Sequence, residues 1–189
     1  MGPYYNKPTG EGYYRHFAAV ADASAVPVVV YNVPGRTGSN IDSRTMLRLA
    51  EHSNVAGVKE ASGNIGQVMD LLRDRPPGFL VLSGDDAVTL PYMALGADGV
   101  ISVVSNQAPA PMAELVRACA RGEFSAARAI HAKLLRLMNL NFVESNPIPV
   151  KASLALLGLC EESFRLPLVP PSDATRELLR AALRELGLL

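Results

Sequence analysis

The chain has 189 residues, 49% of them hydrophobic, and 18 basic side chains balance 18 acidic ones, the make-up of an ordinary globular protein in which one domain is expected. No block of Lys and Arg with interleaved aromatics occurs, so neither a nucleic-acid face nor an anionic-membrane surface is indicated, and the longest apolar runs are only strand-length. The opening Met1-Gly2-Pro3-Tyr4 lacks the basic and apolar regions of a signal peptide.

After an opening loop, Gly10 to Ala23 reads as a helix and Val26 to Val33 as a buried, valine-rich strand flanked by Pro27 and Pro34. The alternation then repeats. A helix from Asp42 to Glu51, with Asp42 or Ser43 as its cap, precedes a strand from Val55 to Lys59. A helix from Ile65 to Arg75 ends before Pro76-Pro77-Gly78. Strand Phe79 to Ser83, helix Ala87 to Leu95, strand Gly99 to Val103 and helix Pro111 to Arg121 complete four strand-helix units. Beyond them the pattern is wholly helical: Ser125 to Leu140, Pro147 to Leu157 and Ser172 to Leu186.

Continuous apolar strands between amphipathic helices imply an α/β fold with a parallel sheet. Two architectures offer themselves, a small doubly wound sheet and part of an eight-stranded barrel. Tyr31, Lys59, Ser83-Gly84-Asp85-Asp86 and Ser102 to Asn106 all fall at carboxyl ends of strands, one set from each. Such ends converge on one mouth in a barrel, whereas only the switch point of an open sheet forms a pocket, so the barrel accounts for more of the residues. Residues 1–122 are then four β/α units of a TIM (β/α)8 barrel, and residues 123–189 a helical region packed on them, with no flexible linker between.

Lys59 is the most informative side chain. An amine carried out of an apolar strand into a Gly/Ser turn sits where desolvation favours its neutral, nucleophilic form, able to condense with a carbonyl compound. The plain alternative is a strand-end lysine that snorkels to solvent. Against that stands its company, since the preceding unit delivers a phenol and a guanidinium into the loop Tyr31-Asn32-Val33-Pro34-Gly35-Arg36-Thr37-Gly38. Tyr31 alone would read as packing in the barrel mouth and Arg36 as a solvated loop residue. One of Asp85 and Asp86 is expected to cap the helix that begins at Ala87, and two acids there argue against a phosphate pocket. Cys119 and Cys160 are far apart and read as reduced thiols of a cytoplasmic protein, while His16, His52 and His131 each stand alone. Neither a metal nor a cofactor is expected.

The motifs Pro3-Tyr4-Tyr5-Asn6-Lys7-Pro8-Thr9, Tyr31 to Gly38, Gly57-Val58-Lys59-Glu60-Ala61-Ser62-Gly63, Ser83 to Asp86, Gly99-Val100-Ile101-Ser102-Val103 and Asn146-Pro147-Ile148-Pro149-Val150-Lys151 resemble, in order, those of the dihydrodipicolinate synthase family. These are pyruvate-dependent Schiff-base lyases on a (β/α)8 barrel, in one superfamily with N-acetylneuraminate lyases. The resemblance implies condensation of pyruvate with aspartate semialdehyde to 4-hydroxy-tetrahydrodipicolinate, a step toward diaminopimelate and lysine. It places Lys59 as the Schiff-base lysine, Tyr31 as the proton-shuttling phenol, and Arg36 on the semialdehyde carboxylate. Gly84 and Ile101 resemble positions that shape the pyruvate pocket. Tyr5 matches a residue that completes a neighbour's proton relay across a dimer interface, and Tyr4 one of that interface which also lines a lysine-binding cleft. A homo-oligomer is therefore expected.

A whole barrel of this type needs about 250 residues and eight strands. The chain starts where the family's fourth strand should be ending, so the threonine pair that binds the pyruvate carboxylate and links the two tyrosines is expected to be absent, and activity of the short chain is in doubt. Two alternatives stand beside the synthase: a related pyruvate aldolase or sugar-acid dehydratase, and a non-catalytic half-barrel subunit.

Overall fold

The computed structural model describes residues 1–189, which pack as two compact units, 1–101 and 102–189. The first unit runs α1 (Gly10–Ala23), β1 (Val28–Asn32), α2 (Pro34–Thr37), α3 (Ser43–Ala50), β2 (Val55–Glu60), α4 (Ile65–Asp74), β3 (Leu80–Ser83), α5 (Thr89–Ala94) and β4 (Gly99–Val100). Each strand pairs in parallel with the next, in the spatial order β1-β2-β3-β4. A doubly wound sheet would reverse that order at its switch point. Here it never reverses, as expected of successive staves of a (β/α)8 barrel.

Strand alternation sorts the side chains into two faces. Val30, Val58 and Val81 are fully buried against the helices, in one core with Tyr13, Phe17, Met46, Leu49 and Leu71. On the other face the registered rows are Val29, Gly57 and Leu80, then Tyr31, Lys59, Leu82 and Gly99. That face is open, with Val29 39% and Leu80 41% exposed. Gly57 is obligatory within it. A Cβ there would fall 2.5 Å from the Leu80 carbonyl oxygen, a backbone atom that can move only with its strand.

Local chemistry starts the helices where the sequence places them. Thr9 Oγ1 accepts from the Gly12 amide, Asp42 Oδ1 from Thr45 and Asn64 Oδ1 from Gln67, each filling an orphan donor of a first turn. At the sheet's amino-terminal end, the Asn54 amide donates to the carbonyls of Ala21 and Ser24. Asp98 there accepts from the Val81 amide and pairs with Arg75, which also reaches the Phe79 and Gly96 carbonyls. These bonds join strand starts, away from the ends that carry Tyr31 and Lys59.

Three expectations need correction. β4 is two residues long rather than five, because the chain leaves the sheet after Ile101 and Val104–Asn106 closes into a 3-10 turn. The helix after β3 begins at Thr89, with Val88 at its cap position and no side-chain cap, so neither acid caps it. Instead Asp85 folds its own loop, accepting from the Ala87 amide through Oδ1 and from the Ser83 and Thr89 hydroxyls through its carbonyl. Finally, Pro34–Thr37 forms a one-turn helix where a loop was expected.

In the second unit α6 (Pro109–Ala120) packs on α7 (Phe124–Leu140), and α8 (Ile148–Leu156) and α7 both pack on α9 (Asp173–Glu185). Gln107 and Asn141, both buried, exchange amide hydrogen bonds of 3.0 and 2.8 Å and close this core. The division at 122/123 follows the strand-helix repeat, in which α6 is the helix after β4; packing divides the chain at 101/102. No helix is long and apolar enough to cross a membrane.

Substituting Gly57→Ala is expected to force β2 and β3 apart and to cost about 3 kcal/mol, at the upper end for overpacking because backbone must yield. Urea denaturation checks this; an unchanged midpoint would mean that the strands separate freely.

Candidate functional site

Tyr31 and Lys59 are register partners across β1 and β2, one residue before each strand ends, and both lie on the open face. The Lys59 amine sits 4.2 Å from the centroid of the Tyr31 ring. A ring face attracts an ammonium, whereas burial disfavours it. Burial dominates and pulls the Lys59 pKa below the ordinary lysine range, opposed by the negative charge of Asp86. The same burial raises the Tyr31 phenol, Arg36 acting to lower it and Asp85 to raise it. The pair thus combines an amine that gives up its proton more readily than an ordinary lysine with a phenol that holds its own more tightly.

Gly84 follows β3, its amide donating to the Glu60 carbonyl at 2.7 Å. A Cβ on Gly84 would lie 2.8 Å from Ala61 Cβ and 3.1 Å from Lys59 Cγ, so its bareness leaves room for the lysine stem. Ile101 is 41% exposed and held to β3 by its amide bond to the Ser83 carbonyl. Arg36 rides in α2, exposed, within electrostatic reach of the Tyr31 phenol. These five residues all belong to the carboxyl-terminal ends of the strands and the loops that follow them.

The two tyrosines of the opening loop are placed differently. Tyr4 is 68% and Tyr5 89% exposed, so neither ring is packed into this cluster. Tyr5 also adopts φ of 72°, a left-handed conformation unusual for a bulky residue, and its amide is bonded to the Thr37 carbonyl at the end of α2.

Three further groups stand near the site: Asp86, expected only as a helix cap, and Glu60 and Tyr92, to which the sequence assigns no role. Asp86, 1% exposed, supplies the charge that opposes the Lys59 shift. Glu60 is fully buried on the helix side of β2, and Tyr92 on α5 is buried with a hydroxyl that has no hydrogen-bond partner. Burial, with Glu60 and Asp85 nearby, pushes the Tyr92 phenol up to about 12. One signal was available for Glu60: it and Asn32 both end apolar strands at the position that faces the helices.

A (β/α)8-type sheet with a lysine of lowered proton affinity at a strand end defines the class. The chain belongs to the dihydrodipicolinate synthetase family, whose model matches residues 1–186. It is 53% identical over 190 aligned residues to the 4-hydroxy-tetrahydrodipicolinate synthase of Chlorobium limicola, covering 100% of this chain and 64% of that protein. Among solved structures, the dihydrodipicolinate synthase of Thermotoga maritima matches with a TM-score of 0.96 at 48% identity, over 99% of this chain and 65% of that one. The chloride-inhibited enzyme from Acinetobacter baumannii, solved with pyruvate, matches with a TM-score of 0.95 at 43% identity, over 99% and 64%. The chain therefore spans about two thirds of the length of these relatives.

Proposed function

We propose that the chain carries the Schiff-base half of a lyase that condenses pyruvate with aspartate semialdehyde to give 4-hydroxy-tetrahydrodipicolinate. The observation that carries this reading is the lowered pKa of Lys59 against the Tyr31 ring. A neutral Nζ attacks the ketone carbon of pyruvate, and loss of water leaves an imine. Its protonated nitrogen draws electrons from the methyl group, which loses a proton to become an enamine nucleophile toward the aldehyde. Tyr31 is assigned the passing of protons at Nζ, and a phenol with its ordinary pKa near 10, raised here by burial, needs a relay to do this efficiently. Tyr5, outward and strained, suits a relay completed between protomers, with Tyr4 in the same interface. Arg36 offers the planar fork for the semialdehyde carboxylate, and Gly84 and Ile101 bound the pyruvate pocket.

Trapping with pyruvate and borohydride is expected to place the adduct on Lys59. Because burial lowers the pKa of the folded amine, modification should rise with pH and level off earlier than it does for the free ε-amine of a lysine peptide. Peptide mass mapping reads both. An adduct elsewhere, with Lys59 unmodified in a folded sample, would refute the assignment.

Arg36→Ala, in the chain joined to the part of a relative that it does not span, should weaken use of aspartate semialdehyde roughly ten- to a hundredfold, the loss of a charged hydrogen-bond partner. Imine formation with pyruvate should persist. Equal use of the semialdehyde would move the reading toward a related pyruvate aldolase.

We further propose that the chain self-associates. The edge strands β1 and β4 flank an open face bearing Val29, Leu80 and Ile101, a combination that ordinarily finds a partner. Light scattering should give a mass above the 20.1 kDa of one chain. A monomer at high concentration contradicts this.

A further inference from the structure

Glu60 is 0% exposed, and none of the chain's ion pairs includes it. A carboxylate so placed is costly unless hydrogen bonds surround it. They do: the Asn32 side-chain amide donates to Oε1 and Oε2 at 3.2 and 3.0 Å, the Ser62 amide to Oε1 at 2.7 Å and the Gln67 side-chain amide to Oε2 at 3.2 Å. Every partner is an N–H donor, so the site fits the anion and offers nothing to a carboxyl proton.

The directions of these bonds are forced around a closed ring. Asn32 Oδ1 accepts from the Ile41 amide at 3.0 Å, which turns its Nδ2 toward Glu60 and toward Asn40 Oδ1 at 2.9 Å. Asn40 Nδ2 then faces Gln67 Oε1 at 2.8 Å, leaving Gln67 Nε2 for Glu60 and the Ile41 carbonyl at 3.1 Å. Reversing any one amide breaks at least two bonds.

The ring's placement gives it a use. Asn32 ends β1, Glu60 ends β2, Gln67 lies in the first turn of α4, and Asn40-Ile41 closes the segment that leaves β1 and carries Arg36. That segment is held at both its ends. Because strand side chains alternate, the ring lies on the helix side of the residues that follow Tyr31 and Lys59, which face the other way. Burying an anion does not by itself favour stability over a well-packed apolar replacement, so stability alone does not account for the ring. Direction is what it supplies.

We infer that Glu60 is a positioning residue whose ring with Asn32, Asn40 and Gln67 keeps Tyr31 and the Arg36 segment in register with Lys59. The inference rests on the reading of Lys59 as the reacting amine, but it concerns geometry and is tested without pyruvate. Two measurements on the full chain suffice: hydrogen exchange at the Ile41 amide, and competitive acetylation of Lys59 against Lys7 as a function of pH. Glu60→Gln turns an N–H₂ toward N–H donors, so Ile41 should exchange roughly tenfold faster or more. The Lys59 acetylation midpoint should move up in pH as Tyr31 ceases to cover the amine. Amides of the second unit should be unaffected.

The exchange Glu60→Gln with Gln67→Glu reverses the bond between positions 60 and 67 and leaves the other directions as they are. Glu at 67 accepts from Asn40 and from the new amide at 60, whose oxygen accepts from Asn32 and Ser62, and only the bond from position 67 to the Ile41 carbonyl is lost. Both readouts should return toward those of the parent chain. Asn40→Ala opens the ring at its solvent-facing member and covers the case in which Glu60→Gln fails to fold; it should shift both readouts in the same direction by less. The inference is overturned if Lys59 acetylation is unchanged in folded Glu60→Gln or, should that variant not fold, in Asn40→Ala. It is equally overturned if the exchanged pair restores thermal stability but not the Lys59 midpoint. Absence of borohydride trapping in the parent chain, with these shifts present, would instead reject the imine chemistry and leave the positioning role standing.

Discussion

A carboxylate removed from water must be surrounded by donors, and in this chain the donors that surround Glu60 come from three places in the sequence, one of which, Asn32, also binds the Ile41 amide. Satisfying one buried anion therefore fixes where β1 ends, where β2 ends, how α4 begins and where the segment after α2 returns. The apolar core behind it, from Tyr13 to Val81, supplies cohesion but little direction, since such side chains pack acceptably in more than one arrangement. The polar ring selects among those arrangements. It lies beside the strand ends, where small displacements would matter most to reacting groups.

The electrostatics of the open face follow from a contest between burial and nearby charge. For Lys59 burial outweighs the attraction of Asp86 and the ring face of Tyr31, so the amine gives up its proton more readily than an exposed lysine. For Tyr31 burial outweighs the pull of Arg36, so the phenol gives up its proton less readily. Opposite shifts from a common cause require no dedicated acid or base beside them. Gly84 adds the steric half of the same arrangement by leaving space along the lysine stem.

Much of this was legible in the sequence because it is local. The apolar runs, the cap Asp42, the lysine leaving a strand into Gly and Ser, and the tyrosine one unit earlier depend on short spacings, and the structure places them accordingly. What escaped depends on partners far away in the chain. Asn32 and Glu60 meet across 28 residues and Asn40 and Gln67 across 27, so no periodicity announces them. Asp85 and Asp86 precede a helix and look like caps, yet Ser83 and Thr89 hydroxyls bind the Asp85 carbonyl and delay the helix to Thr89. β4 was read as long because Gly99 to Val103 is apolar apart from Ser102; its backbone leaves the ladder to form the 3-10 turn. The outward placement of Tyr4 and Tyr5 could not be read from adjacent tyrosines in a proline-bounded loop.

The alternation of side chains along β1 and β2 leaves these strands almost no tolerance for a change in length. In each, the residue that faces the open side is followed at once by a residue of the buried ring: Tyr31 by Asn32, Lys59 by Glu60. Deleting or inserting a single residue upstream within β2 would slip the strand by one position and swap the two faces, driving an ammonium into the helix layer and a carboxylate out to the open side. Neither error can be repaired by repacking, because both place charge where the other belongs. Point substitutions at Val55, Ala56 and Val58 leave the frame intact, so, Gly57 apart, sequence drift among the apolar residues of this strand has room in its composition and none in its count.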